Sequence, residues 1–462
     1  MTQKITRWEN ALHKLWKRNR VHVSSDVSAA YRELVAIYSN PNIIGYPTGS
    51  EAGYWVVPKS WEVEYATVCD PNGRKLVDYD ECRLGLATYS PSFEGIISLA
   101  KLAEHNTCSK KYPERRIFSF RNQYRHWDRV WGVSIPWQIF KNLEEGDYKV
   151  SIKTHFDDGI LEMVECKHQG ELDDTFLLVG HFDHPDMCLD GLVGCLAGHE
   201  VIERLKDKKT KYSYAMLSTI EIVGSVFYAQ FEAKKRGVRQ AMFMACSGAN
   251  APLCYQKTSR SNSAIDQIMI HVSKHVNEPV SIANFREGPI GNDEIAFDTH
   301  AQGIPCASIM RGPYDERHTD ADTPSVVNSL NFEGMVNMVL RGINILEKNA
   351  ILSPQFEVLP CLAHPELELY VDELPDEYGL PNEDTVFRQI LGRLDETLEG
   401  VVVEPVRLSS LMTVLCCLRE GEKTTLEIAE DLDMPFELVD VYTDMWVEKK
   451  LIKKTWKNMF DN

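Results

Sequence analysis

The 462-residue sequence predicts an α/β protein: a mostly parallel sheet flanked by helices, with a β-rich inserted domain and a C-terminal winged-helix domain. Three observations predict it. From residue 176 onward, short apolar runs alternate with helical patterns, as strands and crossover helices do. Residues 49–151 carry aromatic-rich short runs between turn signals instead. After residue 353 a proline-punctuated acidic stretch extends to about 383 and leads into a compact block of helical patterns.

The chain opens with Ile5, Trp8, Leu12, Leu15 and Trp16 at the spacing of an amphipathic helix. In the insertion, YWVVP at 54–58 is a strand, and Pro71-Asn72-Gly73 and Gly146-Asp147 are turns. Its tryptophans (Trp55, Trp61, Trp127, Trp131, Trp137) are expected in the core or at a domain interface rather than stacked on a ligand. FLLV at 176–179 is a buried strand, and the helix after it places Leu192, Leu196, Ile202 and Leu205 near one face. Residues 212–217 form the next strand, 225–235 a helix, 241–245 and 306–310 two further strands, and 330–346 a long amphipathic helix. In the terminal block, 408–418 is a helix, Thr424 or Thr425 caps a second, 435–450 is a third, and LIKKTW at 451–456 follows. That order resembles a winged helix, yet from residue 401 acidic residues outnumber Lys and Arg, so protein contact or oligomerisation is expected ahead of DNA binding. The expected domains are 1–48 with 152–352, the insertion 49–151, and 353–462.

A hydrophobic fraction of 44% and a charged fraction of 26% are those of an ordinary globular protein. The net charge of −18 disfavours nucleic acid and anionic membrane surfaces, which leaves small-molecule or short peptide-like substrates, and a second copy of the chain, as expected partners. No stretch reaches the ~20 apolar residues of a membrane helix, and the amino terminus lacks a signal-peptide core, so a cytoplasmic location is expected. The 12 cysteines form no C-x-x-C pair and should remain reduced.

Ligands of open α/β sheets sit beyond the carboxyl ends of strands. Four polar clusters follow the four predicted strands: His181, Asp183 and His184 with Asp190; Glu221; residues 246–250 (CSGAN); and residues 314–323 (YDERHTDADT), with His318. Histidine and carboxylate groups from separate strand ends suit a zinc hydrolase, which needs a few nitrogen and oxygen ligands, one open position, and a carboxylate to accept a proton. A phosphate-binding loop, a dinucleotide fingerprint and a G-x-S-x-G elbow are all missing. Gly191, Gly194 and Gly198 fit close helix–sheet packing, and Cys188 fits a buried thiol better than a nucleophile.

In this order, the clusters resemble the co-catalytic zinc aminopeptidase family, in which H-x-D, then Asp, then Glu before Gly-Ser, then a late His-Thr provide the centre. The similarity extends through residues 129–132 (RVWG), His184-Pro185, residues 291–294 (GNDE) and His318-Thr319, and is strongest to a subgroup with a β insertion and a winged-helix tail. The resemblance implies a zinc-dependent aminopeptidase-like amide hydrolase, acting on a small or biosynthetic substrate. It implies His181, Asp190, Glu221 and His318 as metal ligands, with His184 and Asp293 as competitors, and Asp183 as the carboxylate orienting His181. Arg311 and Tyr314 are candidates for binding substrate. This sequence departs from the family twice: Ile222 stands beside Glu221 where a second glutamate is normal, and Ala249 where an aspartate is expected. Glu221 is therefore either base or ligand, and one zinc ion is expected rather than two. The alternative is a catalytically degenerate binding or scaffold protein on the same fold.

Overall fold

The computed structural model describes residues 6–371, 386–394 and 405–461, which form two compact units. The first comprises residues 6–261 and 281–336 and contains the sheet; the second comprises 262–280 and the described residues from 337 onward.

In the first unit α1 (Arg7–Leu15) begins at a Thr6 capping box and buries Trp8, Leu12 and Leu15, as the spacing predicts; Ile5 lies outside the described residues. Then follow α2 (Ser25–Val35), β1 (Pro41–Pro47) and a short hairpin of β2 (Glu51–Ala52) and β3 (Trp55–Val56). The insertion contributes β4 (Ser60–Cys69), β5 (Lys75–Asp78), β6 (Phe93–Ser98), α3 (Leu99–His105), α4 (Arg121–Tyr124), α5 (Trp137–Phe140) and β7 (Asp147–Asp157). Its four strands pair in the order β5-β4-β7-β6 over a cluster that includes Trp61, Tyr89, Trp131 and Tyr148. Trp127 departs from its expected place in a core: 67% of its surface is exposed.

β8 (Ile160–His168) returns the chain to the main sheet, and β9 (Thr175–His181), α6 (Leu192–Leu205), β10 (Ser213–Thr219), α7 (Val223–Phe231), β11 (Val238–Ala245) and β12 (Leu253–Gln256) follow. After α8 (Ala264–Lys274) come β13 (Val280–Ala283), α9 (Glu294–Phe297), β14 (Cys306–Arg311) and α10 (Ser329–Lys348). The eight strands lie in the order β1-β8-β10-β9-β11-β14-β12-β13. β10, β9, β11 and β14 are mutually parallel, whereas β1, β8 and β12 pair antiparallel, so the sheet is mixed and its parallel part is the central four strands. Every residue of β9 and β10 is buried, which explains their unbroken apolar text. From β9 the chain goes first to β10 on one side and later to β11 on the other, making the carboxyl end of β9 a topological switch point. α6 packs close to the sheet through glycine: a Cβ on Gly194 would lie 2.2 Å from the Met244 carbonyl oxygen, and one on Gly198 2.1 Å from Met216 Sδ.

The second unit holds α8, whose cap is Ser263, together with β15 (Ala350–Pro354), α11 (Val386–Arg393), α12 (Pro405–Cys416), α13 (Thr425–Asp431), α14 (Phe436–Glu448) and β16 (Ile452–Trp456). The helix, helix, helix, strand order expected for 408–456 is present, and Thr424 is the cap of α13, accepting from Glu427 N. β16 pairs antiparallel with β15, and Arg341 binds Glu437 at 2.7 Å. Residues 372–385, the far part of the expected acidic stretch, lie outside the described residues. Among the described residues no helix is long and apolar enough to cross a membrane.

Candidate metal centre

Because β9, β10, β11 and β14 are parallel, the segments that follow them leave the sheet at one edge. Each of the four segments carries a non-glycine residue in the left-handed region: His184 (φ 81°), Ile222 (58°), Cys246 (51°) and His318 (57°). Such backbone costs on the order of 1–3 kcal/mol per residue and persists where the surroundings over-determine it, often at functional sites.

Three of the four segments converge. Asp190, at the foot of α6, directs Oδ1 to His181 Nε2 at 3.0 Å and Oδ2 to His318 Nε2 at 2.8 Å. His181, His184 and Asp190 offer ligand atoms within 4.8 Å of one another, as do Asp183, His184 and Glu221. His184 Nε2 lies 3.5 Å from Glu221 Oε2, which also accepts a hydrogen bond from the Tyr124 hydroxyl. All of these ligand candidates are buried except His318, whose side chain is 25% exposed and marks the open side. Gly191 is required by proximity: a Cβ there would lie 1.8 Å from His181 Cδ2.

The loop carrying His184 is pinned by a buried cation. Arg20 donates to the carbonyl oxygens of Phe182, His184 and Met187 at 2.6 to 2.8 Å and also to those of Leu15 and Trp16. Asp322 fixes the next stretch by accepting from the main-chain N–H groups of Cys188, Leu189 and Asp190. Burial pushes its carboxyl up to about 7 despite those donors.

The structure corrects three expectations. The carboxylate behind His181 is Asp293, whose Oδ2 meets His181 Nδ1 at 2.9 Å, and not Asp183. Asp183 lies further along the line of the β9–β10 ladder, so its Oδ1 accepts from Glu221 N at 2.9 Å and its Oδ2 from Gln123 Nε2 at 2.9 Å. Asp293 in turn is no competitor for the metal, because its other oxygen accepts from Ile222 N and Ser225 Oγ. Arg311 is buried at the β12–β14 pair and donates to the Ala251 carbonyl, so it does not present its guanidinium to a substrate. The guanidinium beside the centre belongs to Arg317, 3.4 Å from Asp190 Oδ2. Tyr314 is half-buried with its hydroxyl 3.6 Å from Cys246 Sγ, and burial, then the Cys246 and Asp190 charges, hold its phenol well above the usual range. Ala249 is fully buried and supplies no ligand atom.

Tyr124, Gln123, His22, Arg20 and Arg317 were not foreseen. The first two come from the insertion, where no motif marks them.

Electrostatics fit a cation. Burial opposes the charge of His181, but hydrogen bonds to Asp190 and Asp293 outweigh it and hold the imidazole well above its ordinary value. Burial opposes the Asp190 charge too, and is outweighed by His181 and His318, which hold the carboxyl well below the carboxylate range. Four buried carboxylates (Asp183, Asp190, Glu221, Asp293) thus surround three imidazoles. With the imidazoles neutral, as metal ligation requires, that set carries excess negative charge that a divalent ion would balance. Asp190 Oδ2 is buried and lies 2.8 Å from His318 Nε2 and 3.4 Å from Arg317 Nε. Imidazole and carboxylate ligands with a carboxylate-backed histidine suit zinc.

The profile of a family described as a domain of unknown function (DUF4910) matches residues 10–349. A protein of Clostridium acetobutylicum described as a polysaccharide biosynthesis protein with aminopeptidase-like domain is 30% identical over 307 residues, spanning 65% of this chain and 69% of its own. A crystal structure from the same organism, described as that of a peptidase, superposes with a TM-score of 0.79 at 24% identity, covering 97% of this chain and 96% of that one. A zinc aminopeptidase from Bacillus subtilis superposes at 0.53 with 10% identity, over 74% of this chain and 96% of that one. A peptidase M28 precursor from Shewanella amazonensis gives 0.53 at 11% identity, over 73% and 92%. At these identities the structural likeness is one of fold.

Proposed function

The chain belongs to the family described as a domain of unknown function (DUF4910), and from that premise we propose that it is a zinc-dependent hydrolase cleaving an amide or peptide-like bond of a small substrate. One observation carries the reading: Asp190 turns its two oxygens to two histidines from different strand ends, one of them backed by a carboxylate. His181, His184, Asp190 and His318 would hold one zinc ion. When bound, zinc supplies Lewis acidity toward a carbonyl oxygen and acidifies water.

The chain's own groups divide the remaining work. Glu221, which accepts from the Tyr124 hydroxyl and faces His184 Nε2 at 3.5 Å, would accept a proton from the attacking water. Tyr124 keeps its phenolic proton, since burial and the Glu221 charge hold it well above the usual range, and donates a hydrogen bond to Glu221, holding that carboxylate in place. Arg317, on the open side, is the donor for developing negative charge. Burial and the Glu221 charge push Asp183 up to about 6. Held by Gln123 and the Glu221 main chain, Asp183 is a positioning residue for Glu221. The polysaccharide-biosynthesis description of the Clostridium relative supports a sugar-linked amide as substrate.

Glu221→Gln tests the assignment. Zinc content should persist while turnover of leucine p-nitroanilide or of an N-acetylglucosaminide amide falls by roughly 10²–10⁴-fold. Loss of zinc would make Glu221 a ligand. A second reading rests on Ala249 and the single Glu221: a scaffold that kept the fold and a partial cluster. Zinc-loaded wild type inert toward every amide offered would favour it.

A further inference from the structure

A cavity of about 350 Å³ lies beside the metal-site cluster, lined by His22, Gln123, Tyr124, His126, Trp127 and Val223 and by the β2–β3 hairpin at Tyr54, Trp55 and Val56. Two of its walls are also walls of the centre: the Tyr124 hydroxyl donates to Glu221, and Gln123 Nε2 donates to Asp183. Its volume is at the small end of the roughly 300–1,000 Å³ typical of ligand sites, enough for a single ring but not for an extended chain.

Three features define the occupant. None of the lining residues is Asp, Glu, Lys or Arg, so a fixed charge would enter without a counter-charge. Tyr54 is fully exposed at the hairpin, and Trp127 is 67% exposed although the His126 ring meets it edge-on at 5.1 Å, so two largely open aromatic side chains border the cavity. Gln123 is 1% exposed, and its Oε1 is buried without a hydrogen-bond partner among the described residues, as is His22 Nε2. A buried acceptor without a donor is destabilising, and a ligand O–H or N–H would remove that penalty.

We propose that this cavity receives an uncharged ring of the substrate that bears an O–H or N–H donor, stacked between Tyr54 and Trp127 and hydrogen-bonded to Gln123 Oε1. This rests on the hydrolase reading of the adjacent cluster. The insertion thereby sets specificity: its Tyr124 contacts Glu221 while its neighbours hold the ring. A pyranose face with hydroxyl or acetamido groups and an indole share this chemistry.

The test is binding to zinc-loaded, full-length protein, followed by ligand-observed NMR and tryptophan fluorescence. The probes are methyl N-acetyl-β-glucosaminide and, in a second arm, indole. At least one should bind at or below about 10 mM, and Trp127→Ala and Tyr54→Ala should each weaken it by about tenfold with zinc content and melting temperature unchanged. Binding of the glycoside identifies a sugar source, and binding of indole alone an aromatic one; either supports the proposal. Absence of binding by both probes, or equal binding by wild type and Trp127→Ala, would overturn it. Zinc measured in the same samples separates the two readings: zinc with no ring binding removes the ring site alone, and ring binding without zinc removes the hydrolase.

Discussion

The segments after β9 and β11 leave neighbouring parallel strands at the same edge of the sheet, and they have opposite contents. The β9 segment brings Asp183, His184 and Asp190 into one buried cluster, pinned by Arg20 and Asp322. The β11 segment brings Cys246, Ser247, Gly248 and Ala249, all buried, and serves packing: a Cβ on Gly248 would meet Val327, and the Ala249 carbonyl accepts from Asn331 Nδ2 at 2.9 Å. Sharing an edge therefore does not make two segments share the chemistry. In the proposed centre the ligands would come from the β9 side and from His318, a lopsided arrangement that suits one ion.

The comparison breaks most visibly at His318. His318→Ala should abolish bound zinc and turnover while leaving the melting temperature within a few degrees, because the residue lies on a partly exposed segment outside the core; zinc analysis and thermal unfolding check both halves. A smaller effect is expected behind the ligands. Asp293→Asn leaves His181 without its negative partner and should lower zinc affinity by roughly 10–100-fold, measured by chelator competition.

An acid-stability difference sharpens the β9 side away from any ion. His199 on α6 is fully buried, and burial brings it down to about 3. Below pH 6.5 the unfolded chain takes up a proton that the folded one refuses, so stability falls by about 1.4 kcal/mol per unit between pH 6.5 and 3, with no contribution above pH 6.5. Denaturant unfolding of wild type and His199→Gln at pH 7 and pH 5 should show a steeper loss in the wild type. Smallest of all is Asn250→Ala on the β11 segment, expected to leave zinc affinity within about twofold; a loss like that of Asp293→Asn would erase the distinction between the two segments.

The parallel core was legible because strands covered on both faces must be apolar throughout, and β9, β10, β11 and β14 all occur where their runs lie. The candidate ligands drew attention through their place after strands: His181 ends β9, His184 and Glu221 follow their strands within three residues, and Asp190 and His318 within nine. The antiparallel β1 and β8 were not, since Ile160–His168 has neither an unbroken apolar run nor clean alternation. Nor was the partner of His181, because Asp293 lies 112 positions away and only the fold brings them together, whereas Asp183 at two positions invites the shorter reading. Gln123 and Tyr124 sit on a four-residue helix in the insertion, and no pattern there points at the centre.

The most direct test is a crystal structure of zinc-loaded protein with anomalous scattering recorded at the zinc edge. One peak within about 2.0–2.2 Å of an Asp190 carboxylate oxygen and an imidazole nitrogen of His181, His184 or His318 is the predicted result. No peak at this edge of the sheet with zinc in excess, or a peak bound by other residues, would contradict it.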